Sequence, residues 1–321
     1  MKIRLKGFWI SFAALFSAWL ILPAPEAIPD RKNYSIASES LIPADPHLER
    51  VADPHLDGEA ADPYLERTVP SGGPEGLTWE REEAPSLKML FERHERFTYS
   101  VRYGFITIGE IEVELLPDTT YEGERVLHMK TVMRSTTRIP LLRNREYHYQ
   151  NFFTYDDSTM ISHYFWRDDV HEEEFYASEV RFDRARGEVL FFEHGELADT
   201  LELEEPASGG DIIFYYGRSY AGEDATYRLP VYIENDMGWV EVVNTPDTEE
   251  REYDAFPNDI VTYITEGTAD IDGPFGFRGR FRAWFATDDL RLPVEAHVRI
   301  LLGNVKVRLI SYEQLGPRAG H

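Results

Sequence analysis

The chain has 321 residues, with 58 Asp plus Glu against 33 Lys plus Arg, and a formal charge of -25. Such an acidic surface repels phosphate, which argues against nucleic acid and against a standing electrostatic hold on anionic lipid. The absence of cysteine excludes disulfides, thiol catalysis, Cys-ligated zinc and a lipoprotein anchor, which needs a cysteine at its processing site.

The amino terminus reads MKIRLKGFWISFAALFSAWLILPAPEA. Lys2, Arg4 and Lys6 form a basic start, and Phe8 to Leu22 an apolar run that is short for a membrane span of ~20 residues but suits an export signal. Residues 1–27 are therefore expected to be a signal peptide or an uncleaved anchor, since neither Ala24 nor Ala27 offers a clean cleavage site. This predicts an exported protein, either periplasmic or anchored in the inner membrane and facing the periplasm. Residues 28–88 read as a disordered linker, rich in Pro, Glu, Ser and Gly and poor in branched apolar side chains. Three near-copies lie within it, ADPHLER from Ala44, ADPHLDG from Ala52 and ADPYLER from Ala61. Their spacing is far below the unit of a solenoid. Residues 44–67 are either a docking motif for an envelope protein or a by-product of slippage, and the second is the plainer reading. His47 and His55 as metal ligands lose support where Tyr64 takes the third position.

From residue 89 to 316 strand-like runs alternate with turn signals. In VRYGFITIGEIEVELL, residues 101–116, Val101, Ile111, Val113 and Leu115 share one parity while Arg102, Glu110, Glu112 and Glu114 share the other. That is the mark of a half-buried strand. Counted with Phe97 and Tyr99 the run exceeds an ordinary strand, so Gly104 and Gly109 are expected to bend or bulge it. Further runs occupy 126–134, 145–157, 158–169, 172–183 and 188–205, the last with a hairpin at His194-Gly195. Others follow at 225–236, 238–244, 259–271, 276–289 and 292–315, with a turn at Gly303-Asn304. The segment 209–222 departs, because apolar residues at 212, 213, 215 and 216 have helical offsets behind a capping Asp211. IPLLRNR, 139–145, reads as a second helical turn. The expected architecture is mainly all-β: one large curved antiparallel sheet or partly closed barrel with one or two short helices, followed by a tail at 317–321.

Four of these pieces together resemble the DUF3108 family. They are the start from Tyr99 to Gly109; the basic-aromatic stretch from Arg143 to Asp156; the aromatic helix from Asp211 to Arg218; and Trp284, Asp288-Asp289 and Pro293-Val294 ahead of a final strand pair. The resemblance spans most of residues 90–315 and departs at Gly217, where an apolar residue is commoner, and in the long linker. It implies a sheet fold and export from a bacterial cell. It supplies no activity and no catalytic residue.

Candidate chemistry is sparse. RDDVHEEE, 167–174, would offer oxygens to a hard cation, but it has no calcium-loop spacing and reads more simply as a solvated hairpin tip. Asp288 and Asp289 would serve as an acid-base pair only if they faced one substrate; an Asp-rich turn capping backbone N–H groups is the simpler account. The histidines show no metal or protease spacing, and Ser219 is not in a nucleophile elbow. In GFRGRFR, Arg278, Arg280 and Arg282 share one parity opposite Phe277, Phe281 and Ala283. No catalytic constellation, cofactor or metal is therefore expected, and no enzyme.

Two functional readings stand. A sheet curled on itself leaves an apolar interior, and an aromatic helix at its mouth would act as plug or lid over a lipid or other apolar small molecule. The lining would come from Phe105, Ile111, Val113, Ile213, Phe214, Tyr215 and Trp284, with Arg218, Arg278, Arg280 and Asp288 as polar candidates. The alternative is a non-enzymatic assembly or structural protein of the cell envelope acting through a protein partner.

Overall fold

The computed structural model describes residues 77, 83–135, 145–170, 175–273, 277–300 and 303–317. Among the described residues, fifteen strands form one sheet, and two short helices pack against it. In chain order these are α1 Leu87–Leu90, β1 Arg93–Tyr103, β2 Ile106–Tyr121, β3 Glu124–Ser135, β4 Glu146–Tyr155, β5 Met160–Val170, β6 Phe175–Asp183, β7 Glu188–Glu193 and β8 Glu196–Glu202. They continue with β9 Ser208–Gly209, α2 Ile213–Tyr220, β10 Ala225–Ile233, β11 Asp236–Arg251, β12 Ile260–Ala269, β13 Gly279–Ala286, β14 Pro293–Ile300 and β15 Gly303–Pro317. The spatial order is β8-β7-β6-β5-β4-β3-β2-β1-β15-β14-β13-β12-β11-β10-β9. Every pairing is antiparallel except that of β9 with β10. The mainly all-β, curled antiparallel architecture expected from the alternation is what the chain adopts.

The sheet rolls until β9 reaches β5. There the Ser162 backbone N–H donates to the Ala207 carbonyl at 3.2 Å, and the Gly209 N–H donates to Ser162 Oγ at 3.0 Å. Gly209 is required at this seam, because a Cβ on it would lie 2.7 Å from the Phe165 ring and 2.8 Å from Asn151 Nδ2. Beyond the seam, β6 and β7 overlap the outside of β10. Tyr232, on the opposite face of β10 from Leu229, Val231 and Ile233, is buried against Phe182 and Phe191. The other end of the sheet is β8. It is exposed almost throughout, it carries Glu196, Asp199 and Glu202, and a bulge interrupts its pairing, the usual protections against edge-to-edge association.

One boundary is settled by the structure and another differs from the sequence expectation. The run from Phe97 to Leu116, which the alternation allowed as one or as two long antiparallel strands, is two: Gly104 takes φ +57°, Tyr103 pairs with Ile106, and a bulge follows at Ile108. Packing also begins before residue 89. Ser86 Oγ accepts from the Met89 N–H, and Leu87 and Leu90, one helical turn apart, are both buried against the main core. Each buried leucine stabilises by roughly 1.5–3 kcal/mol, enough to order a four-residue helix that propensity alone would not hold. The expected helical turn at 139–145 lies outside the described residues apart from Arg145, which precedes β4. The export segment and the three repeats also lie outside them.

Candidate functional site

Alternation decides what the inside of the roll contains. Along β2 the inward side chains run Ile111, Val113, Leu115; along β13 they run Phe281, Ala283, Phe285; along β15, Val305, Val307, Leu309. One half of the interior is solid. Leu90, Phe91, Phe97, Leu115, Leu127, Phe153 and Tyr215 fill the end at which β1 begins, with the Phe91 ring 5.3 Å from Phe153 and 4.7 Å from Tyr215. The other half is a cavity of about 330 Å³, inside the range of small-molecule sites. Its walls include Ile111, Val113, Met133, Val240, Val298 and Val307, and α2 supplies part of its surface through Ile213, Phe214 and Gly217. Ala283 and Ala296, paired across β13 and β14, keep that wall thin. A Cβ on Gly217 would come 2.7 Å from Cζ of Phe285, so glycine there makes room for the tip of this ring against the helix.

Of the expected lining residues, Ile111, Val113, Ile213 and Phe214 face the cavity. Three do not. Phe105 sits at the tip of the β1–β2 turn and is 75% exposed, because Gly104 turns the chain before parity can carry it inward. Tyr215 lies about 100° around the helix from Phe214, and it is buried with its hydroxyl donating to Glu95 Oε1 at 3.0 Å. Trp284 has the parity of Arg282 rather than that of Phe285. It is buried on the outer face, its Nε1–H donating to Glu249 Oε2 at 2.9 Å and Arg251 lying 4.5 Å from its ring.

The polar candidates disperse. Arg278 is exposed and pairs with Asp270 and Asp272, and Arg280 is exposed on the same outer side. Asp288 is buried and accepts from the Leu290 and Leu292 N–H groups at 2.7 and 3.2 Å, a cap that shapes the β13–β14 turn. Burial pushes its carboxyl up to about 6 against those two backbone donors. Asp168 and Asp169 lie within β5 rather than at a hairpin tip, and Asp169 is held by Arg167 at 2.5 Å; residues 171–174 lie outside the described residues.

Arg218 is fully buried at the end of α2 and forms an ion pair with Glu95, itself fully buried. Its Nη2 is 3.3 Å from Glu95 Oε2, its Nε donates to the Leu290 carbonyl at 3.0 Å, and the Tyr312 hydroxyl donates to Glu95 Oε2 at 3.1 Å. The pair therefore joins α2 to β1, to β15 and to the β13–β14 turn, and it sets the helix against the cavity.

Two polar residues take places that the sequence reading did not give them. Asp211, expected to cap α2, does not: the N-cap position is Ile212, without a side-chain cap, and Asp211 Oδ1 accepts from Asn151 Nδ2 at 2.8 Å. Asp211 lines the cavity, and burial pushes its carboxyl up to about 7, opposed by the Asn151 amide and by nearby backbone N–H groups. Asn151 has the parity of Tyr149 and Phe153, a signal that it points inward.

Comparison with known proteins gives a family match and structural neighbours. The profile of a family described as protein of unknown function (DUF3108) matches residues 98–310. Among solved structures, the chain is similar to a beta-barrel-like protein of domain of unknown function DUF1849 from Brucella abortus, at 11% identity and TM-score 0.44, with 70% of this chain and 98% of that chain covered. No curated protein matches.

Two outcomes are expected from the buried charges. Removing one partner of the ion pair, as Glu95→Gln or Arg218→Met, should lower stability by about 3–5 kcal/mol, and replacing both with apolar residues should cost less than the sum of the two. Urea unfolding of the two single variants and the double variant measures this; additive losses would mean that the charges do not act as a pair. For Asp211, the folded state keeps the proton up to about 7 while the unfolded carboxyl releases it near 3.8. Between those values the folded state binds more protons, so stability should fall as pH rises across that window, by about 2–4 kcal/mol. Asp211→Asn should remove that slope; an unchanged slope between pH 4 and 7 would refute the assignment.

Proposed function

The chain belongs to the DUF3108 family, and on that footing we propose that it is an exported cell-envelope protein that holds a lipid or other apolar ligand inside its rolled sheet. The observation that carries this reading is the cavity of about 330 Å³, walled by aliphatic and aromatic side chains in a domain whose other half is packed solid. A domain that needed only stability would gain from filling that space, since each buried methylene contributes about 0.8 kcal/mol. The basic and apolar amino terminus supports export. The reading asks no bond-making of the protein: Asp288 serves the backbone of its own turn, and Glu95 and Arg218 serve each other.

The test is native mass spectrometry of the protein expressed with its own amino terminus in a bacterial host, combined with uptake of the neutral apolar dye N-phenyl-1-naphthylamine. A releasable adduct of lipid mass, dye uptake, and at least about tenfold weaker dye binding in Ala296→Phe, which intrudes on the cavity, are expected. A protein that carries no adduct and takes up no dye defeats the reading.

One surface observation favours the alternative, an envelope assembly or structural protein acting through a partner. Tyr103, Phe105 and Ile106 stand exposed together at the β1–β2 turn, a contiguous apolar tip of the kind that marks contact surfaces. If that reading holds, Phe105→Ser with Ile106→Ser should abolish co-purification of a partner while dye uptake persists; an unchanged set of partners would rule the tip out.

A further inference from the structure

Two acidic residues border the cavity, but only Asp211 aims its carboxylate at it; Glu295 pairs with Trp284 and shares the parity of His297, which turns its carboxylate to the outer face. Glu295 lies 3.0 Å from Arg251, 2.5 Å from His297 and 3.2 Å from Arg308, which together compensate its charge. Asp211 has the Asn151 amide on Oδ1 and nothing on Oδ2. Asn151 Oδ1, joined to it through that same hydrogen bond, is also buried without a partner, as is the hydroxyl of Tyr227, another wall residue. A buried acceptor left bare costs about 1–3 kcal/mol, which is why natural interiors rarely hold one and why a cluster calls for an explanation. The backbone N–H groups of Asp211 and Ile212 lie near the carboxyl, but neither makes a hydrogen bond to Oδ2. Among the described residues, no Lys, Arg or His lines the cavity.

We infer that the cavity takes a single-chain amphiphile whose head is an uncharged hydrogen-bond donor, a hydroxyl, with that head on Asp211 Oδ2 and the chain among the aliphatic walls. This rests on the carrier reading above and narrows its ligand. A carboxylate or phosphate head would meet the acidic side chain with no wall cation to offset it. A bare hydrocarbon would leave the acceptors unpaired. A hydroxyl satisfies one of them and brings no charge into an apolar space. The raised carboxyl of Asp211 agrees with the burial of its Oδ2, although the residue as a whole is half-buried.

The experiment uses the full chain loaded with N-phenyl-1-naphthylamine at pH 8, with three competitors: 1-decanol, decyl methyl ether, which keeps the oxygen but has no donor, and decylamine. In the wild type, decanol should displace the dye at about five- to tenfold lower concentration than the ether, and in Asp211→Leu the two should come within about twofold. Equal displacement by alcohol and ether in the wild type overturns the inference and assigns Asp211 Oδ2 to bound water, while the carrier reading stands on the dye alone. Decylamine outcompeting decanol, with that advantage lost in Asp211→Leu, overturns the uncharged head. A wild type that takes up no dye overturns the carrier reading and this one together. If Asp211→Leu does not fold, Asp211→Asn replaces it, and the order of the three competitors on the wild type decides by itself.

Discussion

A carboxylate and a guanidinium without access to water, Glu95 and Arg218, hold the interior of this molecule in place. Burying either alone costs several kcal/mol, so each is tolerable only where the other is. The arrangement satisfies them densely: two tyrosine hydroxyls on the carboxylate, a backbone carbonyl on the guanidinium, and the rings of Phe97 and Tyr215 within 5.2 Å of the arginine. Their partners come from the first strand, the last strand, the helix and the turn before β14. Strands far apart in sequence are thereby brought into one register with α2, and the helix can sit in only one orientation. That orientation turns Ile213, Phe214 and Gly217 toward the empty half of the roll and Tyr215 toward the filled half.

The same logic separates the two functions of polar groups in this interior. Glu95, Arg218 and Asp288 have partners and act as joints. Asp211 and Asn151 are partly satisfied and face a space. A network with a missing member is costly inside a protein, so selection would be expected to complete it or remove it unless something else completes it. That contrast, more than the size of the cavity, distinguishes a ligand site from imperfect packing.

Much of this was legible in the sequence where period-two alternation was uninterrupted. Ile111 and Val113 face inward as their parity requires, and the helix of aromatic residues lies where its spacing placed it. Parity failed where the backbone departed from a straight ladder. Phe105 counts as inward only if Gly104 does not turn the chain, and a positive φ at one glycine undoes the count. Trp284 was misplaced for the opposite reason: its large apolar ring suggested the interior, although its parity already grouped it with Arg282. Glu95 carries the parity of Phe97 and was overlooked because a charged residue ahead of a strand ordinarily belongs to solvent. Asp211 looked like a helix cap because such caps are common, and only the coordinates show that its partner is a side chain sixty residues away. Curling was legible in the long alternating strands, but the place of closure was not, since it depends on the approach of Gly209 to β5, a contact without local signature.

The neighbouring placement of β1 and β15 has a geometric corollary. Arg93 lies opposite Pro317, while Tyr103 ends the far side of β1, so the polypeptide enters and leaves the barrel at the same pole, the one packed solid by α1 and the aromatic core. The chain ends of the domain thus share the pole of α1 and the aromatic core, and the β1–β2 turn marks the opposite rim, so a tag or surface tether fused at either end is attached away from that rim.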